Sequence, residues 1–278
     1  MIAPGQPSTV IRSQGRVVLT ADQHQAFQRD GFLVLEHLAD QAETARLRAC
    51  LARLYVNQAG WAVGQQFDLG GPDSAGAAPV LPQILNPSRF EPGLCHSTFR
   101  DDGGELAHQL LGGERGEIEM NIEHAILKPG SYGAQTPWHQ DEAYWRMPDH
   151  DARAVALWMA LQDATVANGC LWYLPGSQRG PIRVHQPIGN DPAVHGLETL
   201  DVDPSAAVAV PMSAGSVVIH HVRCLHYAGA NTTPAPRYAY TLGYLRPSVP
   251  AAQPHHMPWL ERHQPASQER SQAAAQAG

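Results

Sequence analysis

Long apolar runs are missing from this chain. The longest, such as LWYLP and VVI, fall far short of a membrane span. The opening MIAPGQPSTVIRSQG has neither the charged head nor the apolar core of a secretory leader. Basic clusters are missing too: 19 Lys+Arg stand against 26 Asp+Glu, for a net charge of −7. Nucleic acid and anionic membrane both select a basic face, so neither is an expected partner. Only four cysteines occur, at positions 50, 95, 170 and 224, and none forms a CxxC pair. That argues against a cysteine zinc site or a disulfide framework and leaves reduced, mostly buried thiols. These absences together predict a cytoplasmic location.

What is present suits one large globular domain, with 43% of the 278 residues hydrophobic and 16% charged. Residues 1–17 read as a flexible N-terminus. LTADQHQAFQRDGFLVLEHL predicts a helix capped by Thr20, with Gln23 completing a capping box, stopped by Gly31 and followed by the strand FLVLE. AETARLRACLARLYV carries apolar residues at helical spacing. Residues 57–103, rich in Gly and Pro, read as long loops suited to a lid, and ELAHQLLG as a short helix closed by Gly112. Beyond residue 115 come short β-branched and aromatic runs separated by Gly/Pro/Asn turns, which predict an antiparallel sandwich or barrel. The expected division is a single domain over 18–249, with helices and lid loops in 18–115 and the β core in 116–249. Residues 250–278 read as a loosely attached or disordered tail.

Within TPWHQDEAYW, His139 and Asp141 sit two apart, so on a strand they share a face and can reach one ion. Such a pair alone is more often a solvated strand end than a metal site. SVVIHHVRCLHYAGAN adds His220, His221 and His226 as candidates for a third ligand. Two histidines and a carboxylate on one face form the triad of non-haem Fe(II) oxygenases, which leaves positions open for substrate and O₂. Structural zinc instead closes its shell with four ligands, usually including Cys. His226 is the expected third ligand because it ends its strand. His220 and His221 are adjacent, so at most one of them faces the metal. Eleven residues after His226, Arg237 opens the next strand, RYAYTLGYL, and the intervening turn can bring it back beside the metal. A guanidinium inside an apolar strand needs an anion, and its geometry fits a carboxylate.

WHQDEAYW, NGCLWYLPGSQ, GSVVIHHVRCLHYAGAN and Arg237 together resemble the phytanoyl-CoA dioxygenase family of Fe(II)/2-oxoglutarate oxygenases, over about residues 18–247. The resemblance implies a mainly β fold with flanking helices, a double-stranded β-helix or jelly-roll (cupin-like) core. It implies Fe(II) on His139, Asp141 and His226, 2-oxoglutarate held by Arg237, and O₂ as oxidant. Trp158 and Asn121 fall near cosubstrate-binding positions; Gln140, Tyr144 and Trp145 fall near the substrate. One departure stands out. Relatives often carry Ser or Thr two residues after the distal histidine, where this chain has Ala228, so one cosubstrate hydrogen bond is in doubt. Asp141 is retained where halogenating relatives have a small residue, so hydroxylation of a C–H bond in a small metabolite or natural-product intermediate is expected, by a monomer or homodimer. The competing readings are a cupin-like metal isomerase or hydrolase and a non-catalytic small-molecule-binding jelly roll. The first does not require Arg237, and the complete triad speaks against the second.

Overall fold

Residues 1–17, expected to be flexible, are tied to the body of the protein. In the computed structural model, which describes residues 1–73 and 76–277, β1 (Ser8–Thr9) pairs in parallel with β4 (Phe32–Glu36). β2 (Ile11–Ser13) and β3 (Arg16–Val18) form a hairpin that buries Val17. The anchors are too sparse to show as a sequence pattern: one buried valine, and Arg12 paired with the buried Asp102.

The next stretch follows its local signals. α1 (Ala21–Asp30) has the reciprocal Thr20–Gln23 capping box and stops at Gly31, whose φ of 84° suits a residue without Cβ. α2 (Gln41–Val56) is capped by Asp40. Residues 57–103 are not one long loop. β5 (Gln66–Asp68) and β6 (Pro82–Leu85) form a hairpin bonded to β7 (Glu119–Lys128), while Ser74 and Ala75 of the expected lid lie outside the described residues. α3 (Thr98–Leu111) begins seven residues before ELAHQLLG and runs through Gly103 and Gly104 to the expected stop at Gly112. Packing overrides propensity there: a Cβ on Gly103 would lie 2.8 Å from the Tyr244 hydroxyl, so glycine permits the close approach.

Two sheets make the jelly roll. Their remaining strands are β8 (Thr136–His139), β9 (His150–Ala160), β10 (Leu171–Tyr173), β13 (Val208–Val210), β14 (Val217–His221), β15 (His226–Ala228) and β16 (Arg237–Pro250). A small separate ribbon pairs β11 (Gln186–Pro187) with β12 (Leu197–Glu198). The eight-stranded sheet runs β1-β4-β14-β9-β16-β7-β6-β5 and the four-stranded sheet β13-β10-β15-β8. Strand alternation divides the core. Leu33, Leu35, Leu157, Met159, Val217, Ile219 and Tyr240 pack outward under the three helices. Phe32, Val34, Trp158, Val218 and Ala239 pack inward against Leu171, Tyr173 and Val210 of the smaller sheet. The same inward parity carries His124 and Thr241, which face each other across β7 and β16, together with His220 and Arg237.

The tail is also packed, contrary to expectation. α4 (Trp259–Arg262) buries Trp259, whose indole donates to Ala143 O at 2.9 Å. α5 (Ala266–Ala277) sends Arg270 to Asp73 and to the Gln66 carbonyl, with its guanidinium 4.0 Å from the centre of the Trp61 ring. Isolated anchors in an Ala/Gln/Ser background leave little periodic signal. No described helix is long and apolar enough to cross a membrane.

Candidate metal centre and active site

β8 ends at His139, and the short 3-10 turn Asp141–Tyr144 follows at once. β15 pairs antiparallel with β8, with His226 directly opposite His139 and ring centroids 4.1 Å apart. The Nε2 atoms of His139 and His226 lie 3.6 and 3.5 Å from the same oxygen, Asp141 Oδ1. Each ring is oriented from behind: His139 Nδ1 donates to Pro137 O at 2.8 Å and His226 Nδ1 to Cys224 O at 3.0 Å. With the proton on Nδ1, each Nε2 turns a lone pair toward the carboxylate. Two imidazole Nε2 atoms and a carboxylate oxygen converge, which is the donor set and outer support a divalent metal requires. Burial, reinforced by His139, holds His226 well below the usual imidazole pKa. Burial alone would raise Asp141, but His226, His139 and His220 outweigh it and keep its pKa well below the usual carboxylate value.

A second compact group, Glu142, Asp151 and His255, has an internal cation instead. Arg223 donates to Glu142 at 2.7 Å and to Asp151 at 2.6 Å.

The convergent ligands line a cavity of about 300 Å³. Arg237 lines it too, 1% exposed, with Nη2 donating to Gly169 O at 3.2 Å and its guanidinium 5.1 Å from the centre of the Trp158 ring. Its Nη1 is buried without a partner among the described residues. Burial lowers its pKa to about 10, so it remains cationic at neutral pH. A buried guanidinium with an idle nitrogen at a cavity wall calls for an anionic ligand. Across the ladder from Arg237 is Lys128, the only lysine in the chain and fully buried. Its ammonium donates to Ala134 O at 2.5 Å and to Thr136 Oγ1 at 3.4 Å. Burial, then the charge of Arg237, push its pKa well below the usual lysine value.

Other expected site residues divide. Tyr144, Trp145 and Trp158 line the cavity, and Tyr144 Oη accepts the Leu197 amide at 2.7 Å. Asn121 does not; it is exposed, on the opposite strand parity from His124. Gln140 does not line the cavity either. It lies between two residues that face the metal, so it points away, fully buried, and braces loops through Pro181 O, Arg223 O and the Arg183 amide. Sequence reasoning missed several lining residues: Gln83, His124, Thr136, His195, His220 and Thr241. Period-two parity counted from Arg237 would have found Thr241. Gln83 lies on a segment whose sequence reads as loop, and His195 lies outside the strand-like runs.

A family model described as phytanoyl-CoA dioxygenase (PhyH) matches residues 27–239. Ectoine dioxygenase of Bordetella parapertussis is 30% identical over 250 residues, covering 82% of this chain and 76% of that one. Among solved structures, EvdO2 from Micromonospora carbonacea var. aurantiaca complexed with 2-oxoglutarate is 39% identical with a TM-score of 0.75, over 87% of this chain and 97% of that one. The non-heme alpha-ketoglutarate-dependent epimerase SnoN from nogalamycin biosynthesis is 25% identical with a TM-score of 0.60, over 81% and 82%.

Proposed function

The chain belongs to the phytanoyl-CoA dioxygenase family, and from that premise we propose how its residues serve an Fe(II)- and 2-oxoglutarate-dependent dioxygenase. His139, Asp141 and His226 hold one Fe(II), and Arg237 takes the distal carboxylate of 2-oxoglutarate. The observation that carries this reading is the opening of both features on one cavity: a convergent His/Asp/His cluster and a buried guanidinium with a nitrogen unpartnered among the described residues. When bound, the metal with 2-oxoglutarate and O₂ supplies a two-electron oxidation: one oxygen atom enters a substrate C–H bond as hydroxyl, and the other enters succinate as CO₂ leaves.

The protein supplies position and exclusion. Pro137 O and Cys224 O fix the two imidazole tautomers. Trp158 supports the guanidinium from one face, and Gly169 O fixes one of its nitrogens. The hydroxyl missing at Ala228 has a counterpart across the strand pair. Thr136 is the register partner of Ala228 and lines the same cavity. Its oxygen accepts from Lys128 Nζ at 3.4 Å, which leaves its own proton to offer a ligand. Thr136 thus restores the donor that relatives place two residues after the distal histidine.

The substrate is a small molecule, and we assign it to the class of natural-product or small-metabolite intermediates. Leu69, Leu85 and Ile122 give the wall an apolar character, interrupted by the uncharged Gln83 and Thr241. Arg237 is the only Lys or Arg among the described lining residues, which disfavours a phosphorylated carrier inside the cavity. Asp141 occupies the position a halide would take, so the product is hydroxylated or otherwise oxidised, not chlorinated.

The test is succinate release from 2-oxoglutarate with and without Fe(II) and O₂, in the parent protein and in His226→Ala. Release that needs both and disappears in the variant is expected. Release that persists in His226→Ala with full metal content would overturn the ligand assignment.

A further inference from the structure

His220 and His221 are adjacent in the sequence, so at most one of them can face the metal. In the fold the two point to opposite faces, and His220 points inward, 3% exposed. Its Nε2 lies 3.0 Å from Asp141 Oδ2, and its Nδ1 lies 2.9 Å from the hydroxyl of Tyr173. Tyr173 is fully buried on β10 of the smaller sheet and stacked on Phe32 at 4.4 Å. A line of hydrogen bonds therefore runs between the sheets. The phenol, kept protonated by burial, donates to Nδ1, and Nε2–H donates to Oδ2. The opposite carboxylate oxygen, Oδ1, is the one facing the Nε2 atoms of His139 and His226. At this site, the donor atoms close enough to share an ion are those of His139, Asp141 and His226, without His220.

Resting on the metal assignment made above, we propose that His220, held by Tyr173, is a positioning residue that makes Asp141 a one-oxygen ligand. Asp141 needs such a restraint. It stands at the start of a short 3-10 turn, and its side chain is the most exposed of the three ligands at 25%. Left free, a carboxylate there can rotate away from the metal or close on it with both oxygens. The second arrangement takes a coordination position that the cosubstrate and O₂ need. With Oδ2 occupied by His220, only Oδ1 remains for the metal.

The experiment loads apo-protein anaerobically with Co(II), whose visible d–d absorption reports coordination number, and measures affinity by competition with a chelator. His220→Phe fills the space without a donor, His220→Gln keeps a donor, and Tyr173→Phe removes only the outer hydrogen bond. Loss of an outer-shell partner typically weakens metal binding about 10–100-fold. His220→Phe is expected to do so and to alter the d–d spectrum, His220→Gln to recover most of both, and Tyr173→Phe to fall between. Parent-like affinity and spectrum in His220→Phe, or a His220→Gln as impaired as His220→Phe, would overturn the proposal. If His220→Phe fails to fold, His220→Gln against Tyr173→Phe still decides: a spectrum altered in neither would overturn it. Asp141→Ala separates the two levels of the argument. Metal binding retained there refutes the triad itself, whereas binding lost there with a parent-like His220→Phe refutes only the positioning role.

Discussion

Removing the guanidinium of Arg237 while leaving the metal ligands intact separates the two halves of the site. Arg237→Gln should weaken 2-oxoglutarate binding by about 2–5 kcal/mol, the usual cost of breaking a buried charged pair. That is roughly a thirtyfold to several-thousandfold loss, with Fe(II) affinity unchanged. Arg237→Lys should recover only part, since an ammonium has no planar pair of donors. Unchanged 2-oxoglutarate affinity in Arg237→Gln would hand the role to another group. Thr136→Val should cost on the order of 1.5–3 kcal/mol, as for a hydrogen bond to a charged group. Adding Ala228→Ser in the same chain should restore most of it; a double variant no better than Thr136→Val would show that the two positions are not interchangeable. Direct titration of 2-oxoglutarate into the Fe(II) protein reads all four variants. At this scale much was legible. His139, Asp141 and His226 do come together, but not by the expected route. Asp141 opens a 3-10 turn instead of continuing β8, and His226 begins β15 instead of ending the strand before it. Arg237 reaches the cavity on β16 of the other sheet, which does not pair with β15. His220 was hidden because two adjacent histidines carry no parity of their own. Thr136 was hidden because its meaning depends on which strand lies beside β8, and pairing between distant strands is not local information.

Elements carry the mouth of the cavity. Its rim joins segments far apart in sequence, and α4 and α5 bind them together. Trp259 donates to Ala143 O, His195 Nδ1 lies 3.0 Å from Ser267 Oγ, and the amides of Gln264 and Ala266 donate to Pro192 and Ala193. Trp259→Ala should therefore lower stability by about 3–5 kcal/mol, the usual cost of a large-to-small core change. It should also raise protease sensitivity across residues 186–198, while the ligands on β8 and β15 still bind metal. Chemical denaturation and limited proteolysis measure the two effects. A loss within about 1 kcal/mol, below that range, would mean that the tail only rests on the surface. The capped helices, the strand FLVLE and the β-rich character after residue 115 were readable because each is a local pattern. The N-terminal hairpin, the tail and the β5–β6 wall were not, because single anchors fix them against partners the chain meets only once folded.

For the molecule as a whole, acid is the natural stress. Burial pushes His124, His185 and His221 down to about 4, and His195 down to about 3. An unfolded chain protonates these rings near pH 6.5, whereas the folded chain resists until about pH 4. The stability they contribute is complete above the higher value and is lost as pH falls through the window. Each unit of depression corresponds to about 1.4 kcal/mol, so the urea midpoint of the apo-protein should fall steeply between those limits. A midpoint that stays flat down to pH 4 would contradict the burial of these rings. Lys128 has a different consequence. Because the chain holds one lysine and buries it completely, the native protein offers amine-reactive reagents no ε-amino group. Acylation at residue 128 then becomes a clock for opening of the barrel: mass-spectrometric uptake at that site counts excursions of the β7–β16 pair, and a bound anion at Arg237 should slow it.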